Sequence, residues 1–193
     1  MAQLNEKTDI TKRNVHIMIT NRCNRNCPFC CNKQYDVNEI PIVTNEELEE
    51  AENIFLTGGE PFAFADPCMT AAFLKGTYPN IKKVYVYTNA YELYEYLYAR
   101  EKNLWGIDGL TISIKDKRDL EVFKDIVYHR QVFARRNDIR VYVFGDMKVD
   151  EYFKTFKREW QEEFVAAPDS IFRRVAVFYE DKKKKKFDKN YIL

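Results

Sequence analysis

The stretch Val15-His16-Ile17-Met18-Ile19-Thr20-Asn21-Arg22-Cys23-Asn24-Arg25-Asn26-Cys27-Pro28-Phe29-Cys30 joins an apolar run rich in β-branched residues to a polar loop with three thiols at C-x3-C-x2-C spacing. The first part has the composition of a buried strand, which predicts β structure over 15–20. Three thiols crowded into the loop that follows point to a bound metal. Zinc usually takes four ligands, commonly from two separated pairs, whereas iron–sulfur clusters are held by thiolates. Three ligands on a four-iron cube leave one iron open. A zinc knuckle needs a fourth ligand, for which Cys31 and His16 are the candidates. Cys31 adjoins Cys30, however, and neighbouring residues seldom both turn toward one metal in a tight loop; His16 lies a strand length away.

Outward from this loop the chain alternates between strand and helix patterns. A polar leader, 1–14, precedes the first strand, and 31–43 reads as irregular connection. Thr44 with Glu47 forms a capping box that opens a short acidic helix to about residue 53. Strand 54–57 ends in Gly58-Gly59-Glu60-Pro61, and Asp66-Pro67 supplies an N-cap and first-turn proline for a helix to about residue 75. Strand 83–88, helix 91–100, strand 110–114, helix 118–135 and strand 140–144 follow. Phe153, Phe156, Trp160 and Phe164 at helical spacing predict a core-facing helix over 150–164, and a sixth strand is expected at 173–179. Six strands alternating with five helices predict an α/β fold, a parallel sheet with right-handed crossovers. One domain over 1–193 is expected, with its core at about 15–179 and a basic tail at 180–193. Ligands of such sheets gather at the carboxyl ends of the strands. The cysteine loop, Gly58-Gly59-Glu60, Thr88-Asn89, and Ser113 with Lys115 all fall there.

Composition narrows the partners. With 46% apolar and 32% charged residues the chain is neither disordered in composition nor built for a membrane. Thirty-one Lys and Arg against 30 Asp and Glu remove net charge as an argument for nucleic acid or membrane partners. No apolar run approaches the roughly 20 residues of a spanning helix, and the leader is too polar for a signal peptide, so a cytoplasmic protein is expected. Four of the five cysteines lie within 23–31, a poor disulfide framework but a good metal loop in a reducing compartment. Cys68 is expected as a small packed thiol, His16 as a satisfied core histidine and His129 on the surface. The lysine run 182–186 reads as a solvated tail, or else as an attractor for an acidic electron donor such as flavodoxin or for a phosphate backbone.

The cysteine spacing with aromatic Phe29 before the last thiol, followed about 28 residues later by Gly58-Gly59-Glu60-Pro61 at a strand end, resembles the motifs of the radical S-adenosylmethionine (radical SAM) superfamily. Alone, Gly-Gly before Glu-Pro reads as a turn. The resemblance implies a partial (β/α)6 barrel and a [4Fe-4S] cluster on Cys23, Cys27 and Cys30. It also implies S-adenosyl-L-methionine on the open iron, cleaved reductively to a 5′-deoxyadenosyl radical that takes a hydrogen atom from a substrate. Glu60 and the Gly58-Gly59 backbone are then expected to receive the cofactor's ammonium group, and Phe29 to lie near its adenine. Thr88-Asn89-Ala90 is similar to the family's Thr-Asn-Gly, with Ala90 in place of glycine. Asn89 is thus a cofactor candidate, as are Ser113 and Lys115, which strand alternation puts on one face. After three ligands are assigned only Cys31 and Cys68 remain, too few for a second cluster. The partners implied are a small-molecule or nucleotide-derived substrate, an electron donor such as flavodoxin or ferredoxin, and a protein that completes a lightly capped site. A glycyl-radical-enzyme activase acting on a protein glycine is the second enzymatic reading. A non-catalytic zinc-binding module is the alternative of another class.

Overall fold

The apolar runs pair into one sheet in the computed structural model, which describes residues 13–28, 30–128, 138–147, 154–158, 169–178 and 192–193. Its strands are β1 (Asn14–Thr20), β2 (Asn53–Gly58), β3 (Lys83–Asn89), β4 (Gly109–Ile114), β5 (Asp138–Phe144), β6 (Lys154–Arg158) and β7 (Ser170–Arg174). Every pair is parallel, in the order β6-β5-β4-β3-β2-β1-β7. From β1 to β6 each strand lies beside its predecessor, always on the same side. Right-handed crossovers therefore lay the intervening helices on one face of the sheet.

Those helices are α1 (Asn45–Glu50), α2 (Pro61–Phe64), α3 (Pro67–Thr77), α4 (Ala90–Tyr94) and α5 (Lys117–Tyr128). The predicted caps are present. Glu47 N–H donates to Thr44 Oγ1 at 3.3 Å and Thr44 N–H to Glu47 Oε2 at 3.1 Å, the reciprocal pair of a capping box. Asp66 Oδ1 accepts from Met69 N–H at 2.9 Å at the start of α3. One residue set along the strands, with Ile17, Leu56, Val86, Leu110, Ile112 and Val141 at its centre, is buried with Leu48, Leu74, Leu93 and Phe123 from the helices. Each such aliphatic side chain contributes about 1.5–3 kcal/mol by leaving water.

Four elements depart from expectation. Where helical spacing predicts a helix over 150–164, residues Lys154–Arg158 instead form β6, in register with Arg140 to Phe144 of β5. The open edge of β5 offers a ladder of backbone groups, and pairing with it overrides local periodicity. The last strand is Ser170–Arg174 rather than 173–179, because it pairs with β1 from Asn14↔Ser170 to Met18↔Arg174. The apolar residues Val175 and Phe178 that drew the expected strand forward are buried just beyond its end. The helix expected at 91–100 is a short α4 followed by a π-helical turn, Glu95–Ala99. Finally, Pro61 opens the unpredicted one-turn α2, at the position where proline suits a helix start. Phe29, His129, the end of the helix expected at 118–135, and the lysine run 182–186 lie outside the described residues.

Candidate functional site

The cysteine loop and the Gly-Gly-Glu turn are one backbone construction. Leaving β2, Gly59 N–H donates to Thr20 O at 2.9 Å and Glu60 N–H donates to Arg22 O at 2.8 Å. Gly58 has φ +128°, and a Cβ there would stand 2.0 Å from Thr20 O; one on Gly59 would stand 1.9 Å from Arg22 O. The close approach that both glycines permit is thus to the segment that leads into Cys23. The N–H groups of Gly59 and Glu60 are used inside the protein, so this turn offers a ligand acceptors rather than donors. Arg22 caps the junction, its guanidinium 4.8 Å above the Phe64 ring of α2.

Glu60 lies 2% exposed beneath this turn. Its carboxylate accepts from Thr88 Oγ1 at 2.6 Å, from Asn89 N–H at 2.9 Å and from Asn89 Nδ2 at 2.5 Å. Burial pushes its pKa up to about 7, against the pull of those hydrogen bonds and of Lys115. The folded protein therefore holds a proton that the unfolded chain, titrating near 4.5, releases. Stability from this group is full below pH 4.5 and falls as pH rises toward 7, by about 3 kcal/mol in all. We expect the urea midpoint of the wild type to decline across that window relative to that of Glu60→Gln, since His16, held down to about 4 by burial, acts in the opposite direction equally in both proteins. A wild-type midpoint that rises across the same window relative to the variant contradicts the assignment.

Two residues between the first two thiols pin the loop. Asn24 Nδ2 donates to Glu92 Oε2 at 2.7 Å, and Glu92 is gripped from its other side by Arg100, whose Nη1 also reaches Phe62 O at 2.7 Å. The π-helical turn carries the chain from Glu92 to Arg100. Arg25 bridges Asp116 at 2.6 Å and the fully buried Asp119 at 2.5 Å, and Asp119 also accepts the N–H groups of Lys115 and Tyr91. Such a buried, multiply bonded pair holds geometry firmly, since removing one partner strands a charge. These anchors carried only a faint signal in the sequence, the isolated charge of Arg25 within a cysteine loop.

The three thiols are unpaired and partly buried, and Cys31 is exposed. Cys30 is lowered to about 6, first by a hydrogen bond from the Cys31 thiol, with Asn32 N–H, Lys115 and Lys33 acting in the same direction. Burial raises Cys23, and Cys31 is raised by the same hydrogen bond that lowers its neighbour. Among the described residues no three His, Cys, Asp or Glu side chains gather around a common point. The donors nonetheless suit a thiolate-held cluster in type and number, and metal binding itself gathers ligands from a loop of this kind.

Asn89, Ser113 and Lys115 stand on the same sheet edge as the thiols, Asn89 in register with Ser113. Asn89 has structural duties, accepting Glu92 N–H at 2.8 Å as the N-cap of α4 and holding Glu60. Lys115 is half-buried, and its charge bears on Cys23, Cys30 and Glu60. Cys68 is a packed thiol that donates to Asn103 O at 3.4 Å and accepts from Tyr96 Oη at 3.4 Å. His16 lies four residues, about 13 Å, before the end of β1, far from the thiols.

No family model matches the sequence, and no solved structure matches it. Over 137 residues the chain is 29% identical to a probable GTP 3′,8-cyclase of Methanocaldococcus jannaschii, an alignment that covers 66% of this chain and 44% of the relative. The chain thus spans less than half the length of that curated protein. No described helix is long and apolar enough to cross a membrane.

Proposed function

We propose that this chain is a radical SAM enzyme built on a partial barrel, with Cys23, Cys27 and Cys30 holding one [4Fe-4S] cluster. One observation carries the reading: a three-thiol loop after β1 is joined by two backbone hydrogen bonds to a Gly-Gly-Glu turn after β2, with Asn89, Ser113 and Lys115 on the same edge. Its likeness to a GTP 3′,8-cyclase, an enzyme of that superfamily, supports the same direction at low identity. When bound, the cluster and S-adenosyl-L-methionine supply one-electron cleavage of a carbon–sulfur bond and a 5′-deoxyadenosyl radical.

The chain's own residues orient that cofactor and keep water from it. A carboxylate has about four acceptor sites, and protein donors occupy three on Glu60, which leaves room for an ammonium group. An arriving cation beside this buried carboxyl favours its ionised form and draws its pKa down. Lys115, Ser113 and, by the family pattern, Phe29 complete the cofactor's surroundings. The substrate is a small-molecule or nucleotide-derived compound, and a flavodoxin or ferredoxin supplies the electron. A protein-glycine activase finds no particular support.

The zinc module keeps one specific observation in its favour, the contact of Cys31 with Cys30, which could make a fourth sulfur ligand. Metal analysis after air-free purification separates the two. The proposed function expects a brown protein with about four irons per chain. A colourless protein with one zinc, lost on replacing Cys31, sinks it.

A further inference from the structure

Glu92 is a buried acid whose side chain serves no local purpose. It stands in the first turn of α4, three residues after the N-cap Asn89, the place from which a glutamate usually reaches back to the N–H of the cap. Only half of that capping box forms. Asn89 Oδ1 accepts Glu92 N–H at 2.8 Å, but Asn89 N–H donates to Glu60 Oε2 at 2.9 Å instead. The Glu92 side chain, 4% exposed, turns to the thiol loop, where its Oε2 accepts from Asn24 Nδ2 at 2.7 Å.

The helix is wound to hold it there. Eight steps along an uninterrupted α-helix turn through about 800°, which would leave Arg100 about 80° round the axis from Glu92. The π-helical turn Glu95–Ala99 is closed by Arg100 N–H donating to Glu95 O at 3.0 Å, five residues back. It takes up one extra residue and so returns Arg100 to within about 20° of the Glu92 face. Arg100 Nη2 pairs there with the Glu92 carboxylate, and Nη1 donates to Phe62 O at 2.7 Å, in the helix that follows the Gly-Gly-Glu turn. On the other side, Asn24 Oδ1 accepts from Asn89 Nδ2 at 3.5 Å and lies 3.9 Å from Cys23 Sγ. Asn24 is an exposed loop residue, and its bond to a buried carboxylate selects one orientation where water would leave several.

We propose that Glu92 is a positioning residue for the metal on the thiol loop: through Asn24 it fixes the chain between Cys23 and Cys27, and the π turn keeps Arg100 in place behind it. Gathering three separate thiols round a metal costs loop entropy, and a residue already fixed between two of them lowers that cost. Supporting partners of this kind act on how tightly a metal is held, not only on whether the chain folds. That the metal is an iron–sulfur cluster rests on the proposed function; that Glu92 governs retention of the metal the thiols hold does not.

Chelator competition on the full chain tests it, with bathophenanthroline after anaerobic reconstitution with iron and sulfide, or with 4-(2-pyridylazo)resorcinol if the purified protein carries zinc. Thermal midpoints are taken on the same samples. Glu92→Ala is expected to release its metal to about 10- to 100-fold less chelator than the wild type, the range for a supporting partner. Glu92→Gln keeps an acceptor for Asn24 and should recover most of that loss. Asn24→Ala should weaken retention as Glu92→Ala does, and the double variant should lose no more than either, since the two act as one contact. Should Glu92→Ala fail to fold, Asn24→Ala, at an exposed position, carries the test. Folded variants that lose thermal stability yet keep the wild-type chelator midpoint overturn the proposal, as do losses that add in the double variant or that Gln leaves unrepaired. Metal retention that follows Glu92 in a protein unable to cleave S-adenosyl-L-methionine defeats the proposed function alone. Cleavage by the wild type, with retention unchanged in the Glu92 and Asn24 variants, defeats this inference alone.

Discussion

Cys27→Ala is expected to lose the cluster and, with it, more than about 100-fold of S-adenosyl-L-methionine cleavage, beyond the 10- to 100-fold that loss of a mere supporting partner costs. Cys27 is the middle thiol of the loop, and neither neighbour can substitute for it. Cys23 is tied to the Asn24–Glu92 anchor, and Cys30 is engaged by Cys31. The variant should still fold, because Cys27 is partly exposed and the adjoining anchors at Asn24 and Arg25 remain. Its iron content after anaerobic reconstitution and its thermal midpoint are the two measurements to take together. A folded Cys27→Ala protein with wild-type iron and cleavage contradicts the ligand assignment.

Gly58→Ala is the substitution expected to cost most in stability. The added methyl meets Thr20 O at 2.0 Å, and the backbone at φ +128° is one that side chains rarely tolerate. Overpacking and backbone strain each contribute about 1–3 kcal/mol, so a loss of about 4 kcal/mol is expected by chemical denaturation. Because the displaced atom belongs to the strand entering the cysteine loop, iron binding should weaken in parallel. Gly76→Ala serves as the comparison: a Cβ there meets nothing within 4 Å. Equal midpoints for the two variants contradict the view that Gly58 is fixed by its approach to Thr20.

The contrast between these glycines shows what a sequence can disclose. Gly58-Gly59-Glu60 was conspicuous as a motif, and its position at a strand end was legible from the apolar run before it. That its glycines serve contact between two backbones was not, since register between β1 and β2 is a tertiary fact. Caps transferred well: Thr44 with Glu47, and Asp66 with Pro67, are local arrangements set by a few neighbouring residues. Lys154–Arg158 did not, because its aromatic spacing obeyed a helix while the unpaired edge of β5 made it a strand. Asn24, Arg25, Glu92, Arg100 and Asp119 escaped notice for a related reason. Each is an ordinary charged or amide residue until the fold brings its partners within hydrogen-bonding distance, 68 positions apart for Asn24 and Glu92, 94 for Arg25 and Asp119, and 38 for Arg100 and Phe62. Asn89, a cofactor candidate by its place after β3, also caps α4 and holds Glu60, duties that only the tertiary structure discloses.

The central claim is that the thiol loop and the Gly-Gly-Glu turn together make one radical-generating site. Its most direct measurement is 5′-deoxyadenosine formed after anaerobic reconstitution with iron and sulfide, addition of S-adenosyl-L-methionine, and reduction with dithionite. The account predicts 5′-deoxyadenosine and methionine in equal amounts from the wild type and none from Cys27→Ala. An iron-loaded, reduced wild type that leaves S-adenosyl-L-methionine intact contradicts it.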